Sequence, residues 1–124
     1  MLKKSLNWLY VILWMSVIFY FSSQPDLKSE LPTLWDFIFR KIAHISEFFV
    51  LAYFLFRAVQ AYRPTWVFNV LTTSIMSILY AGFDEFHQTF TPGRNGNIFD
   101  VGIDGIGVIA FIILLYVYRR KYFV

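Results

Sequence analysis

Residues 99–118 read FDVGIDGIGVIAFIILLYVY, and the basic residues RRK follow directly at 119–121. Beyond Asp104 the run is uncharged and consists almost entirely of aliphatic and aromatic side chains. Its length is about that needed for a helix to cross the hydrocarbon core of a bilayer. A basic cluster at its end is typical of a membrane flank. The run therefore predicts a membrane span.

Toward the N-terminus, three more apolar runs of similar length precede this one. They are Leu6–Phe21, Ile42–Tyr62 and Thr65–Phe83. Hydrophobic residues make up 58% of the 124 residues and charged residues only 15%, a composition that is hard to keep soluble. The chain is predicted to be an all-α polytopic membrane protein, a four-transmembrane-helix bundle in a single domain over residues 1–124.

Two segments allow more than one interpretation. The first run could be a cleaved signal peptide, but its bulky aromatic residues and the lack of a small-residue cleavage site favour a retained helix. Leu34–Phe39, between the first and second spans, is amphipathic and is predicted to lie in the membrane interface. Since the chain has no cysteine, it can form neither a disulfide nor a thiolate metal site.

The distribution of basic residues predicts an orientation, because four spans place both termini on one side. The basic residues on that side are Lys3, Lys4, Arg57, Arg63, Arg119, Arg120 and Lys121, and those on the other side are Lys28, Arg40, Lys41 and Arg94. The positive-inside rule then predicts a plasma-membrane protein with cytoplasmic N- and C-termini. The net charge of +3 comes from end clusters, so no nucleic-acid partner is expected.

All acidic residues and both histidines fall on the outer half in this arrangement. Those that enter or end a span, with their polar neighbours, are Lys41, His44, Glu47, Asp84, Glu85, His87, Gln88, Asp100 and Asp104. Asp104 lies about one turn inside the fourth span, where an ionised carboxylate should be paired or protonated. On helix geometry its predicted partner is Lys41, His44 or His87. Gly105 and Gly107 are predicted to let another helix approach closely.

Three uses of this polar group remain open from the residues alone. It could be a structural ion-pair network, or it could perform general acid/base catalysis through its histidines and carboxylates. It could also bind a metal, since the spacings His44-x-x-Glu47 and Asp84-Glu85-x-His87 suit a helix. No serine elbow or Cys–His pair indicates a covalent nucleophile.

The order of these motifs resembles the VanZ-like family of small membrane proteins. The resemblance rests on Phe21-Ser22-Ser23-Gln24-Pro25, Lys41-x-x-His44, Asp84-Glu85-x-His87-Gln88-x-Phe90-x-Pro92-Gly93-Arg94, Asp100 and Asp104-x-x-Gly107. It extends over almost the whole chain. Asp104 stands where an asparagine is common, which adds a buried charge. The family takes its name from a member associated with resistance to teicoplanin, which implies action at the outer membrane face or the cell wall.

The first functional hypothesis is a membrane protein that acts on an outer-leaflet lipid, a lipid-linked wall precursor or a lipoglycopeptide antibiotic. Candidate catalytic residues are His44, Asp84, Glu85, His87 and Asp104, and candidate substrate-binding residues are Lys41, Gln88, Arg94 and Asp100. Lys41 and Arg94 could hold a phosphate. The Pro92-Gly93 turn is predicted to fold Arg94 back over the cluster.

The alternative is a non-catalytic protein that binds or shields an amphiphile. A transporter or channel is disfavoured because the inner halves of the spans read as apolar. The expected partner is a membrane lipid or a lipid-linked cell-wall component, and no cofactor is expected. The sequence leaves open whether the chain is an enzyme, whether it binds a metal and whether it forms a homo-oligomer.

Overall fold

The computed structural model describes residues 1–24, 33–62, 65–91 and 96–123. These residues form four helices and contain no strand. The helices are α1 (Leu2–Ser22), α2 (Thr33–Gln60), α3 (Trp66–Gln88) and α4 (Ile98–Phe123). Each contains a segment that is long and apolar enough to cross a membrane. The prediction of an all-α chain with four membrane spans is confirmed.

The helices extend beyond the predicted spans. α1 begins at Leu2, and α3 continues past Phe83 to Gln88. α2 begins at Thr33, so Leu34–Phe39 is helical and continuous with the second span. Its position in the membrane interface stays a prediction. The physical reason for the extension is that a helix already formed adds each further residue with one more hydrogen bond, whether or not the side chain is apolar.

α2 lies at the centre of the bundle and packs against the other three helices. Its fully buried residues Phe48, Leu51 and Ala52 form the middle of the core. Most other large apolar side chains point outward along all four helices. An apolar exterior on this scale is expected of a surface that faces lipid.

A glycine allows α4 to lie directly against α2. At Gly107 an added Cβ would collide with the carbonyl oxygen of Ile45 and would lie 2.9 Å from the backbone nitrogen of Phe49. Any side chain here would therefore push the two helices apart. Gly105 is less tight, since its Cβ would lie 3.3 Å from a side-chain methyl of Ile78 on α3. Close approach through these glycines agrees with the sequence prediction.

The buried face of α3 is polar over nearly its whole length. Its buried residues are Asn69, Thr73, Ser77, Ala81, Asp84, Glu85 and Gln88. The expectation of apolar inner halves is therefore wrong for α3. The physical reason is that Asn69, Thr73 and Ser77 are spaced four residues apart and lie on one helical face. Small hydroxyl and amide side chains are common where membrane helices pack closely.

Candidate functional site

The polar residues that the sequence predicted for the site lie where α1 and α3 end and where α2 and α4 begin. We call this region the acidic end. Four of its carboxylates are buried, namely Asp36, Asp84, Glu85 and Asp104. Arg94, with the Pro92-Gly93 turn before it, lies outside the described residues, so its predicted position over the cluster stays a prediction.

Three helices bring His44, Asp84 and Asp104 together, and we call these residues the central cluster. One nitrogen or oxygen from each lies within 4.8 Å of those of the other two. Asp104 is 0% exposed and Asp84 is 1% exposed. The imidazole Nδ1 of His44 lies 3.4 Å from Oδ1 of Asp104 and 3.8 Å from Oε2 of Glu47. Of the three partners predicted for Asp104, the structure places His44 beside it.

Asp84 is held by two side chains. The hydroxyl of Ser22, at the end of α1, donates to Oδ1 of Asp84. The amide of Gln88 donates to Oδ2 over 3.2 Å, one turn further along α3. Thr91 then fixes the end of α1, because its hydroxyl donates to the backbone oxygen of Ser22 over 3.2 Å. Both carboxylate oxygens of Asp84 are thus fixed by neutral donors.

His87 faces α1 and has contacts of its own, although it shares a helical face with Asp84 in the sequence pattern. Its Nε2 lies 2.9 Å from the hydroxyl of Ser23. Its ring stacks on Phe19, with the ring centroids 4.3 Å apart and the planes at 18°. His87 is half-buried, whereas Asp84, one turn before it on α3, is buried.

Two predicted substrate-binding residues form a pair on the other side of the acidic end. The ammonium of Lys41 on α2 bonds to Oδ1 of Asp100 on α4, and both side chains are about three-quarters buried. This ion pair joins the first turns of the two helices. Lys41 is therefore already engaged, and it would have to exchange partners to hold a phosphate.

Glu85 connects α3 to the start of α4. Its Oε2 accepts a hydrogen bond from the backbone nitrogen of Asn97 over 3.2 Å. Its Oε1 has no hydrogen-bond partner within the described ranges. Gly96 is required here, because a side chain would collide with the backbone oxygen of Glu85. Glu85 therefore has a structural contact, with one further acceptor free to take a donor.

Sequence reasoning missed one set of residues and resolved a second only in part. The sequence shows Ser22 and Ser23 only as part of a motif, yet they bond to Asp84 and His87. The signal was their place at the end of one span while both partners end another, since the ends of helices in a bundle meet. The second set is the buried stripe of Asn69, Thr73 and Ser77 on α3, which the sequence shows only as part of a more polar third span. Its four-residue spacing distinguishes these residues from the neighbouring Thr72 and Ser74.

Comparison with known proteins agrees with this arrangement. The VanZ/LLP1 family model matches residues 7–119. A relative, the uncharacterized membrane protein YwnJ of Bacillus subtilis (strain 168), is 32% identical over 112 residues, which cover 86% of this chain and 74% of the relative. No solved structure matches significantly. Since the family match includes all four helices and every residue of the central cluster, the chain belongs to the VanZ/LLP1 family.

Proposed function

We propose that this membrane protein binds an amphiphile from the outer leaflet, with the head group of the amphiphile at the acidic end, and acts chemically on that head group. The amphiphile would be a lipid, a lipid-linked wall precursor or a lipoglycopeptide. The observation that carries the proposal is the burial of Asp84 and Asp104 beside His44 at one end of the bundle. Ionisable residues at membrane depth are costly, and they usually mark a functional site.

A lateral groove supports an amphiphilic ligand over a soluble one. The groove has a volume of about 280 Å³, lies between α1 and α3, and is lined by Ile12, Met15, Ser16, Phe19 and Tyr80. Phe19 also stacks on His87. A hydrocarbon chain in this groove would therefore place an attached head group near His87 and Ser23. Such a position would keep the chain of the ligand in an apolar surrounding and its head near polar groups.

His87 is the best-placed residue to transfer a proton to or from the head group. It is half-buried and adjoins the groove through Phe19, whereas Asp84 and Asp104 of the central cluster are buried. Histidine is the commonest general acid or base in enzymes. The Ser23 hydroxyl, 2.9 Å from Nε2, fixes the orientation of the ring. Arg94 and Lys41 remain candidates for binding a head-group phosphate.

Action at the outer membrane face is supported by the family. The VanZ-like name comes from a member associated with teicoplanin resistance, and teicoplanin is a lipoglycopeptide. A role of this chain in such resistance is part of the proposal. The alternative, a protein that only binds or shields an amphiphile, uses the same groove and differs in needing no proton transfer.

The first experiment tests the groove. The purified protein is mixed with a polyisoprenyl phosphate or with an anionic phospholipid, and native mass spectrometry counts the bound lipid. Ser16→Trp fills the groove and should reduce binding at least about tenfold, which corresponds to about 1.4 kcal/mol. Leu13→Trp is the matched control, because Leu13 is exposed on the same helix but does not line the groove. Equal binding by both variants would count against the groove.

The second experiment separates catalysis from binding. Wild type and His87→Ala are incubated with labelled membrane lipids, and products are followed by chromatography. A catalytic His87 contributes typically 10²–10⁴-fold, so its removal should abolish product while leaving lipid binding nearly unchanged. Binding without any product, even from wild type, would support the shielding alternative. A wild-type protein that binds no lipid and forms no product would overturn the proposal.

A further inference from the structure

We propose that the central cluster binds one divalent transition-metal cation, with His44, Asp84 and Asp104 as its ligands. The three residues come from three different helices, α2, α3 and α4. One ligand atom from each lies within 4.8 Å of the others. The proposal goes beyond the proposed action on an amphiphile and does not depend on it.

The distances suit a single ion after a small contraction. Nitrogen and oxygen ligands lie about 2.0–2.2 Å from an ion such as Zn²⁺. Two such ligands are therefore about 3.4 Å apart in a tetrahedral site. The separations in the central cluster are at most 4.8 Å, and the His44–Asp104 pair is already at 3.4 Å. Rotations of side chains about their terminal bonds can supply the remaining shift.

The state of Asp104 is an independent reason to expect a ligand. Its side chain is 0% exposed, and neither carboxylate oxygen has a hydrogen-bond partner within the described residues. Buried polar groups in native proteins are almost always bonded, and an unsatisfied carboxylate in a membrane costs several kcal/mol. The contact with His44 at 3.4 Å is longer than a good charge-assisted hydrogen bond. Asp104 therefore points toward the other two ligands without a sufficient partner.

The charge balance of the central cluster leads to the same conclusion. Two buried carboxylates carry two negative charges when ionised, and one imidazole supplies at most one positive charge. Lys41, the nearest lysine on α2, is bonded to Asp100. A divalent cation would neutralise both carboxylates and leave the imidazole uncharged, as a metal ligand must be.

The surroundings resemble the supporting residues of a metal site. Ser22 and Gln88 each donate to one oxygen of Asp84, which fixes the orientation of that carboxylate. Outer hydrogen bonds of this kind commonly orient metal ligands. Glu47 lies 3.8 Å from Nδ1 of His44 and is within reach as a further acceptor. Gly107 keeps α2 and α4 close enough for His44 and Asp104 to meet.

The ligand set selects a class of metal. Imidazole suits Zn²⁺, Fe²⁺ and other transition metals, whereas Ca²⁺ and Mg²⁺ prefer oxygen ligands alone. One imidazole with two carboxylates therefore favours Zn²⁺, and Mn²⁺ is the next choice. Three protein ligands leave a coordination position for water or for another ligand, as in sites that are not purely structural.

The test uses the full chain in detergent, purified with an affinity tag that contains no histidine. The protein is stripped with a chelator, supplied with Zn²⁺ or Mn²⁺, and freed of excess metal. Elemental analysis should find about one ion per chain. The melting temperature should rise by several degrees with metal, because a ligand that binds only the folded state stabilises it. Co²⁺ should give the visible absorption of an ion with protein ligands.

Variants locate the ion. His44→Gln and Asp104→Asn should each lose the bound metal, and Gln88→Ala should weaken its affinity by about 10–100-fold through Asp84. Asp36→Asn is the matched control, since Asp36 pairs with Arg40 about two turns before His44 on α2. It should bind metal like wild type.

Two outcomes would overturn the proposal. A wild-type chain that binds none of the three metals would mean that protons neutralise the carboxylates. Metal bound equally by Asp104→Asn and Asp36→Asn would place the ion elsewhere. If a ligand variant does not fold, the absorption of wild-type protein with Co²⁺ still decides. Because no lipid ligand is used, failure here leaves the proposed action on an amphiphile standing.

Discussion

The two ends of the helix bundle differ in how deeply their charged side chains are buried. At the end that carries both termini, which we call the basic end, the cations among the described residues are exposed and several lie over aromatic rings. Lys4 lies 4.6 Å from the ring centroid of Tyr62, and Arg119 lies 4.5 Å from that of Trp66. At the acidic end, Asp84, Glu85 and Asp104 are buried.

The difference in burial follows from the length of the charged side chains. Long basic side chains at a membrane flank keep their charge in water or near lipid head groups while their stems cover apolar surface. Short carboxylates cannot reach out in this way, so a buried aspartate must be compensated by its neighbours. Anchoring therefore accounts for the charges of the basic end, whereas the buried carboxylates of the acidic end need compensation from their neighbours.

The largest expected effect concerns which end faces outward. Single cysteines at Lys28, between α1 and α2 in the chain, and at Asn95, between α3 and α4, should react fully with an impermeant thiol reagent in whole cells. A cysteine at Arg63, between α2 and α3 in the chain, should react only after the cells are opened. Each signal is close to all or none. The reverse pattern would place the acidic end in the cytoplasm and would contradict the outer-leaflet proposal.

The next largest effect should follow from separating α2 and α4. In Gly107→Ala the added Cβ meets backbone atoms of Ile45 and Phe49, which cannot rotate away. Overpacking typically costs about 1–3 kcal/mol, so the melting temperature in detergent should fall markedly and metal should be lost. Gly102→Ala is the control, because its Cβ meets nothing within 4 Å. It should be neutral or stabilise by up to about 1 kcal/mol. Equal melting of both variants would contradict the close approach.

The four spans and the gathering of polar residues at one end could be predicted because both depend on local patterns. Hydropathy and length define a span, and an even number of spans puts alternate loops on one side. Residues near the same loops, such as His44 and Asp104, were thereby expected to be neighbours. Which neighbour each would take could not be predicted. That Lys41 bonds to Asp100 while His44 faces Asp104 depends on the rotation of α2 against α4, which Gly107 allows.

Which face of α3 is buried could not be predicted from the sequence either. A helical pattern shows which residues share a face, but it does not show which face turns inward when apolar residues surround the helix. For this reason the sequence alone does not separate Asn69, Thr73 and Ser77 from Thr72 and Ser74. Likewise Ser22 was not assigned to Asp84, because the bond joins the ends of two helices 62 residues apart in the chain.

Replacing either of two serines on α1 by alanine should show a moderate difference in stability between the two ends. Ser22→Ala removes the hydroxyl that donates to buried Asp84, and hydrogen bonds to charged groups contribute about 1.5–3 kcal/mol. Ser5→Ala is the matched control at the basic end, where the exposed hydroxyl bonds only to the backbone oxygen of Met1. Its effect should stay within about 0.5 kcal/mol. Thermal melts in the same detergent compare the two. Equal losses would mean that the two ends do not differ as described.

The smallest expected effect lies between the two ends, at Thr73, and it should have the opposite sign. The side chain of Thr73 is 0% exposed, and its hydroxyl has no hydrogen-bond partner within the described residues. Thr73→Val keeps the shape of the side chain and removes only the polar atom. Since an unbonded buried hydroxyl costs about 1–3 kcal/mol, the variant should melt at the same temperature as wild type or slightly higher.

The result for Thr73→Val also defines how far the polar site extends. A stable variant with unchanged lipid binding would mean that the polar residues needed for function lie at the acidic end. The polar stripe on α3 would then serve only the packing of helices. A clear loss of stability would instead show that the hydroxyl is bonded, most simply to a buried water between Asn69 and Ser77. In that case the difference between the two ends would be one of charge alone, because polar contacts would run the length of α3. Ser74→Ala is the control, since Ser74 neighbours Thr73 but is only half-buried.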